Sequence, residues 1–205
     1  MNAHGRFGQL SVNLLVALSV LSPSYAGASD RRTAALASRA QTPGIFNFGA
    51  INDTYFRGAE LDVQAAATLA ARGIKTVVDL RSDADYTPSE KAFVTAAGMR
   101  YARIPMTTRV APTPAQVSTF LALVTDSVNL PVYVHCVEGR HRTGVMTAVY
   151  RMAVDGWTAA RAFREMKDFK FGLDFLHPEF KKFVYRYQPA QQAAATSAAI
   201  ADATN

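Results

Sequence analysis

The sequence predicts a single α/β domain with a central, mostly parallel sheet flanked by helices, and three observations carry that prediction. Short apolar, β-branched runs alternate with segments of helical spacing through the middle of the chain. Two helix starts share one punctuation: Thr87-Pro88-Ser89-Glu90 and Thr113-Pro114-Ala115-Gln116 each offer a Thr N-cap, Pro at the first helical position and Glu or Gln at the third. The apolar run Leu130 to Val134 opens onto a tight loop and a further helix, and open α/β sheets bind ligands at such carboxyl ends of their strands. With 205 residues, 49% of them apolar, and no internal repeat, the chain has room for one sizeable core.

The first 26 residues read as a leader rather than as part of that core. Arg6 gives a weakly basic start, Leu10 to Leu21 is an apolar run, and Ser24-Tyr25-Ala26 has the small-x-small pattern of a signal cleavage site. A run of a dozen residues, broken by Ser11, Asn13 and Ser19, falls short of the roughly 30 Å hydrocarbon layer, so export with cleavage is expected, to a periplasmic or secreted destination without stable membrane insertion. Residues 27–43 lack periodicity and are expected to form a linker, residues 44–187 the folded domain, and residues 188–205, rich in Ala, Gln and Ser, a disordered tail.

Within the domain, Ile45 to Ala50 and Thr54 to Arg57 read as two short strands around an Asn52-Asp53 turn. Asp62 is placed to cap a helix striped by Val63, Ala66, Ala67 and Ala70 and stopped by Gly73. Lys75 to Leu80 and Arg100 to Ile104 read as strands, and Val117, Phe120, Leu121 and Val124 give one helix face. Further helices are expected from Thr143 to about Asp155, from Trp157 to about Asp168, and from Pro178; Trp157, Phe163, Met166, Phe169 and Phe171 are expected in the core.

The net charge of +6, or +5 without residues 1–26, comes from scattered Lys and Arg. Without a basic run or aromatic-interleaved stripe, nucleic acid is excluded as a partner, and an anionic substrate suits the balance better. Cys136 is the one cysteine, so no internal disulfide forms and the thiol is either inert or reactive. Its surroundings decide. His135-Cys136-Val137-Glu138-Gly139-Arg140-His141-Arg142-Thr143-Gly144 joins a strand to a helix. The backbone N–H groups of residues 137–142 (Val137, Glu138, Gly139, Arg140, His141 and Arg142) are thereby placed to cradle a tetrahedral oxyanion at the helix N-terminus. Arg142 can grip two of its oxygens while the Cys136 thiolate attacks in line, because a helix N-terminus and a guanidinium both favour the anionic sulfur. Gly139 permits the curvature, Gly144 close helix packing, and the Thr143 hydroxyl a hydrogen bond to the sulfur. His135 is expected to orient the Cys136 backbone.

The ten-residue stretch resembles the signature of the cysteine-dependent protein tyrosine phosphatases, His-Cys-x-x-Gly-x-x-Arg-Ser/Thr-Gly, in the dual-specificity branch, and every fixed position matches. Tyr55-Phe56-Arg57-Gly58, Val78-Asp79-Leu80-Arg81 and the Tyr150 to Met166 region resemble small exported bacterial members, so the likeness spans roughly residues 45–187. It implies a tyrosine-phosphatase-like fold and phosphoric monoester hydrolysis through a phosphocysteine on Cys136. Arg142 then binds phosphate and stabilises the transition state, with no metal or other cofactor, and the substrate is a phosphorylated protein or a small anionic phosphoester.

One part of the family pattern is missing. Relatives carry an acidic general acid before the helix that precedes the signature strand, whereas Pro105 to Pro112 holds none and no acid occurs between Glu90 and Asp126. Candidates for the role are His141, inside the loop, and Asp83 or Asp85, after the Leu80 strand; for each the alternative is a brace or a solvated charge. Glu90 belongs to its capping box, and Glu138 is expected to point outward. Weak acid catalysis favours a phenolate leaving group, pKa about 10, or a phosphoanhydride over an alkoxide, hence phosphotyrosine or a pyrophosphate over phosphoserine. Arg140 and His141 resemble the loop of an atypical branch acting on inositol phosphates and pyrophosphates, which sets that class as the alternative, beside a non-catalytic phosphate-binding module.

Overall fold

The Asn47 backbone adopts a left-handed conformation, φ 54°, and this ends the expected Ile45 to Ala50 strand before it begins. Only Gly49–Ala50 pairs as β1, antiparallel to β2 (Tyr55–Gly58), while Ile45 and Phe48 are buried as a hook outside the ladder. Between them Asn52 Oδ1 accepts the backbone N–H groups of Thr54 and Tyr55 at 2.9 and 2.8 Å, which closes the expected turn. This computed structural model describes Met1 and residues 44–189. The expected leader, the linker and nearly all of the tail lie outside the described residues.

Helix α1 (Val63–Ala71) is capped as expected, Asp62 Oδ1 accepting the Ala65 N–H at 2.7 Å. The remaining strands are β3 (Thr76–Asp79), β4 (Arg100–Arg103) and β5 (Val132–His135), in sheet order β1-β2-β5-β3-β4. All pairs except β1–β2 are parallel. Successive residues of a strand face opposite sides, so Val77 and Tyr133 join a core with Leu61, Leu69 and Val94. Val78, Val132 and Val134 enter the larger core on the other face with Phe120, Val145, Met146 and Phe171. β5 lies at the centre of the sheet, which places the Cys136 loop at the middle of its carboxyl edge.

The two predicted capping boxes part company. Ahead of α3 (Pro114–Thr125) the box is complete, with Gln116 N–H on Thr113 Oγ1 at 3.2 Å and Thr113 N–H on Gln116 Oε1 at 2.8 Å. Ahead of α2 (Pro88–Ala96) Thr87 makes no side-chain cap, and Glu90 turns inward, 1% exposed, to contact Arg81 and accept the Leu61 N–H at 3.0 Å. A cap contributes about 1 kcal/mol, whereas an unmatched buried charge costs about 3–5 kcal/mol, so the guanidinium wins the carboxylate.

α4 (His141–Ala153) starts two residues earlier than expected and brings Arg142 into its first turn; it is buried almost throughout. α5 (Ala159–Asp168), a 3-10 turn at Asp174–Leu176 and α6 (Pro178–Arg186) complete the layer. Trp157 corrects the expected core: it is half-buried at the surface, with the guanidinium carbons of Arg151 and Arg161 over its ring at 4.1 and 3.7 Å. Phe163, Met166, Phe169 and Phe171 are buried as expected.

Candidate active site

β5 ends at His135, and the chain turns at once through Cys136 to Arg140 into α4. Two features force that turn. Gly139 has φ 64°, and a Cβ there would stand 2.4 Å from the Gly58 carbonyl carbon and oxygen, so no side chain fits where the loop crosses the end of β2. The Gly139 carbonyl is then held from outside by Asn47 Nδ2 at 2.8 Å and by Arg57 Nη2. With the Gly139 carbonyl claimed on the outer side, and no side chain capping α4, the first helical N–H groups stay available to an anion. Cys136 is a buried, free thiol at this mouth.

Arg142 is 4% exposed, and its Nη1 donates to Asp85 Oδ2 at 2.6 Å and to the Met106 carbonyl at 3.2 Å, while its Nε is buried without a partner. The Pro105 to Pro112 segment thus reaches the site with a backbone carbonyl and not with an acid. Asp85 is the acid that arrives instead. Its side chain is 40% exposed, also accepts the Ser82 hydroxyl at 2.8 Å, and is held below the usual carboxylate range chiefly by the Arg142 hydrogen bond. The Thr143 hydroxyl is buried without a partner. Gly144 is less tightly constrained than the sequence suggests: an added Cβ would meet Met166 at 3.5 Å, an ordinary contact.

The other candidates point elsewhere. Asp83 is 82% exposed and pairs with Arg103 at 3.1 Å. His141 is unsuited to the acid role: its Nε2 lies 3.0 Å from the Phe171 carbonyl, its ring packs on His177 at 3.7 Å, and burial pushes its pKa down to about 4. At neutral pH it is therefore an uncharged imidazole whose Nε2–H is committed to a carbonyl, and it braces the 171–177 segment. Val137 is half-buried and its carbonyl accepts the Glu60 N–H at 3.1 Å. Glu138 points outward as expected and pairs with Arg140 at 3.3 Å, and Arg140 extends over the Phe46 ring at 5.5 Å.

A model of the family described as DSP-PTPase phosphatase fused to NAD+ kinase matches residues 49–174. The chain belongs to this family. It is 32% identical to NAD kinase 2, chloroplastic, of Arabidopsis thaliana over 101 residues, which are 47% of this chain and 10% of that protein. It is 30% identical to the dual specificity protein phosphatase TpbA of Pseudomonas aeruginosa over 135 residues, 66% of this chain and 59% of TpbA. The chain thus spans less than two thirds of the length of these relatives. The crystal structure of TpbA matches with a TM-score of 0.61 at 28% identity, covering 73% of this chain and 89% of TpbA as solved. The catalytic core of the PP-IP phosphatase SIW14 from S. cerevisiae shares the fold, with a TM-score of 0.65 at 19% identity over 77% of this chain and 94% of that one.

Two sets of contacts around the loop are not legible in the sequence, which assigns His135 and Glu90 other or simpler parts. Beneath the loop, Arg81 donates to Asp79 from Nε and Nη2, both at 3.0 Å, to Glu60 at 2.8 Å, and contacts Glu90. His135 packs against this network, with Nδ1 3.4 Å from the Cys136 carbonyl and Nε2, which makes no hydrogen bond, 3.4 Å from Glu90 Oε1. Burial lowers its pKa to about 4 and raises that of Glu90 to about 7, so a neutral imidazole faces the Cys136 backbone. Asp79, Glu90 and His135 offer three ligand atoms within 4.8 Å of one another, but a cation there would have to displace Arg81 from both carboxylates. The second set, from Arg57 and Asn47, holds Gly139 from outside the loop, and a strand arginine gave no sign of that in sequence.

Proposed function

We propose that the protein is a cysteine-dependent phosphoric monoester hydrolase of the dual-specificity type whose preferred substrates carry phosphotyrosine. The observation that carries this reading is Cys136 at the mouth of an uncapped buried helix, with Arg142 in the first turn and an Nε still unpartnered. Membership of the family and the likeness to TpbA, which has been solved in complex with pTyr, support it. The Cys136 sulfur attacks phosphorus, the bond from phosphorus to the leaving oxygen breaks, and Arg142 with the loop N–H groups carries the charge of the transferring phosphoryl group. Water then attacks the phosphocysteine, the S–P bond breaks, and the thiolate is restored beside the Thr143 hydroxyl.

Asp85 is the acid in this scheme. In the free protein its pair with Arg142 keeps it ionised. A bound phosphate dianion takes the Arg142 donors and sets negative charge beside the released carboxylate, which raises its proton affinity and leaves an acid near the leaving oxygen. The protein should hydrolyse an aryl phosphate without added metal, unaffected by chelator and blocked by vanadate. Cys136→Ser should remove turnover and keep phosphopeptide binding. Binding without any wild-type turnover would instead establish a phosphate-binding module.

A second reading, a phosphatase for inositol phosphates or pyrophosphates, draws on one feature. Arg140 and Lys170, whose cationic groups lie 5.5 and 4.3 Å from the Phe46 ring centroid, gather two charges at the edge of the loop for a second phosphate. A rate panel of phosphotyrosine peptide, phosphoserine peptide and inositol phosphates separates the readings. Export to the periplasm or medium is part of the proposal, resting on residues 1–26; protein recovered outside the cytoplasm should begin at Gly27, and a retained Met1 would refute it.

A further inference from the structure

Arg57 ends up in a place where an arginine is costly. It lies near the end of β2, opposite Val134 in the parallel register with β5, and it is fully buried. Its Nη2 donates to the Gly139 carbonyl and its guanidinium carbon stands 4.1 Å from the Phe169 ring centroid, while Nε and Nη1 are buried without an acceptor. Among the described residues no carboxylate pairs with it. Glu165, whose charge reaches it, is taken by Arg151, Nη2 to Oε1 at 2.7 Å.

A buried guanidinium without a counter-ion costs several kcal/mol, and an aromatic face with one carbonyl returns only about 1–3 kcal/mol of that. No Asp or Glu among the described residues supplies the missing counter-charge, which leaves an anion of the neighbouring loop as its source. Through Nη2, Arg57 holds the Gly139 carbonyl of the loop that carries Cys136, and the same loop opens on an uncapped helix N-terminus suited to an oxyanion. The two backbones that flank the guanidinium are also unusual: Asn47 and Lys170, with φ of 54° and 61°, are the non-glycine residues in left-handed conformation among the described residues. Asn47 Nδ2 ties the Gly139 and Phe169 carbonyls together at 2.8 and 2.9 Å.

We propose that Arg57 is a positioning residue of the site: from beneath the loop it fixes Gly139, and its unmatched charge stabilises the Cys136 thiolate and the phosphoryl group above it. This rests on Cys136 being the reactive thiol of the proposed function, but not on turnover. The test uses the full chain, whose one cysteine makes iodoacetamide alkylation report Cys136 alone. The pH of half-maximal alkylation should rise by about one unit in Arg57→Met and Arg57→Gln, a tenfold loss of thiolate at fixed lower pH. It should stay within about 0.3 unit in Arg57→Lys, which keeps the charge, and in Asn47→Ala, which removes a tether without changing charge. Melting curves establish that each variant is folded. A folded neutral variant with the wild-type midpoint overturns the proposal, and so does an equal shift in Asn47→Ala, which would assign the effect to loop geometry. Should neither neutral variant fold, the wild-type midpoint in about 1 M potassium chloride decides, because salt screens exposed cations and not a buried one. An unchanged midpoint both in the wild type and in Arg142→Ala, which lacks the other buried guanidinium of the loop, supports Arg57; a rise of about half a unit in salt, or a rise of about one unit in Arg142→Ala that leaves no shift for Arg57, overturns the proposal. Absence of turnover with the expected shifts would remove the phosphatase reading and leave this one standing.

Discussion

Arg81 and Arg142 both follow a parallel strand at the carboxyl edge of the sheet, both are almost fully buried, and both meet an aspartate, yet they are placed for opposite purposes. Arg81 is saturated: Asp79 takes two of its donors at 3.0 Å, Glu60 another at 2.8 Å, and Glu90 a further contact. Arg142 is left open, with one carboxylate from a solvent-facing loop, one backbone carbonyl and an Nε without a partner. A guanidinium with a partner on every nitrogen holds a fold together, whereas one with an unpartnered nitrogen and a solvent-facing carboxylate is free to exchange that carboxylate for a ligand. The number and burial of the partners, not the burial of the arginine itself, separate the two roles.

Exchanging the roles by mutation tests that distinction. Arg142→Ala should cut aryl phosphate turnover by about a thousandfold, as for the loss of an oxyanion ligand, while the melting temperature moves by less than about 3 °C. Arg81→Met strands Asp79 and Glu90 without their counter-ion and should destabilise by about 3–5 kcal/mol, lowering the melting temperature by about 10 °C. An Arg81→Met protein that melts like wild type and has lost turnover would break the comparison. Asp85→Asn should slow a substrate with an alkoxide leaving group by about a hundredfold and one with a good leaving group by less than about threefold. Equal losses on both would remove Asp85 from the acid role.

The smallest expected effect concerns the saturated side. The folded pKa of His135 lies below its free value, so its contribution to stability is full above about pH 6.5 and is lost as pH falls toward 4. The folded pKa of Glu90 is raised to about 7, so it contributes in the opposite sense, favouring the fold as pH falls from 7 through 4.5. The two oppose each other over one window, and wild-type melting should vary little there on their account. Glu90→Gln removes one arm and should expose an acid-side loss of about 1–3 kcal/mol between pH 6.5 and 4, read by melting curves across that range. A flat profile in the variant would mean that His135 is not carried neutral in the fold.

What was legible in the sequence was what is local. Cys136, Arg142 and Thr143 lie within eight consecutive residues, and the strand–loop–helix that arranges them is written in the same stretch. The alternation of strands and helices, the Asp62 cap and the Thr113 box are likewise settled by neighbours a few positions apart. Glu90 was not, because Thr-Pro-Ser-Glu satisfies a cap on paper and only a buried Arg81 on another element redirects it. Arg57 serves a carbonyl 82 positions away, and the Phe171 carbonyl that claims His141 is 30 positions away. Asp83 and Asp85 looked alike in sequence; the irregular turn between them sends one to Arg103 and the other to Arg142.

The Asp85–Arg142 pair also bears on the end of a catalytic cycle. Under the proposed function, inorganic phosphate would leave from the same guanidinium that Asp85 holds in the free protein at 2.6 Å. As the phosphate leaves, the carboxylate returns, so the protein carries its own tethered competitor for the product. Its local concentration is fixed by a short loop and does not dilute. Product inhibition should accordingly be weak in the wild type and stronger in Asp85→Asn, in which the departing anion has no rival for the site.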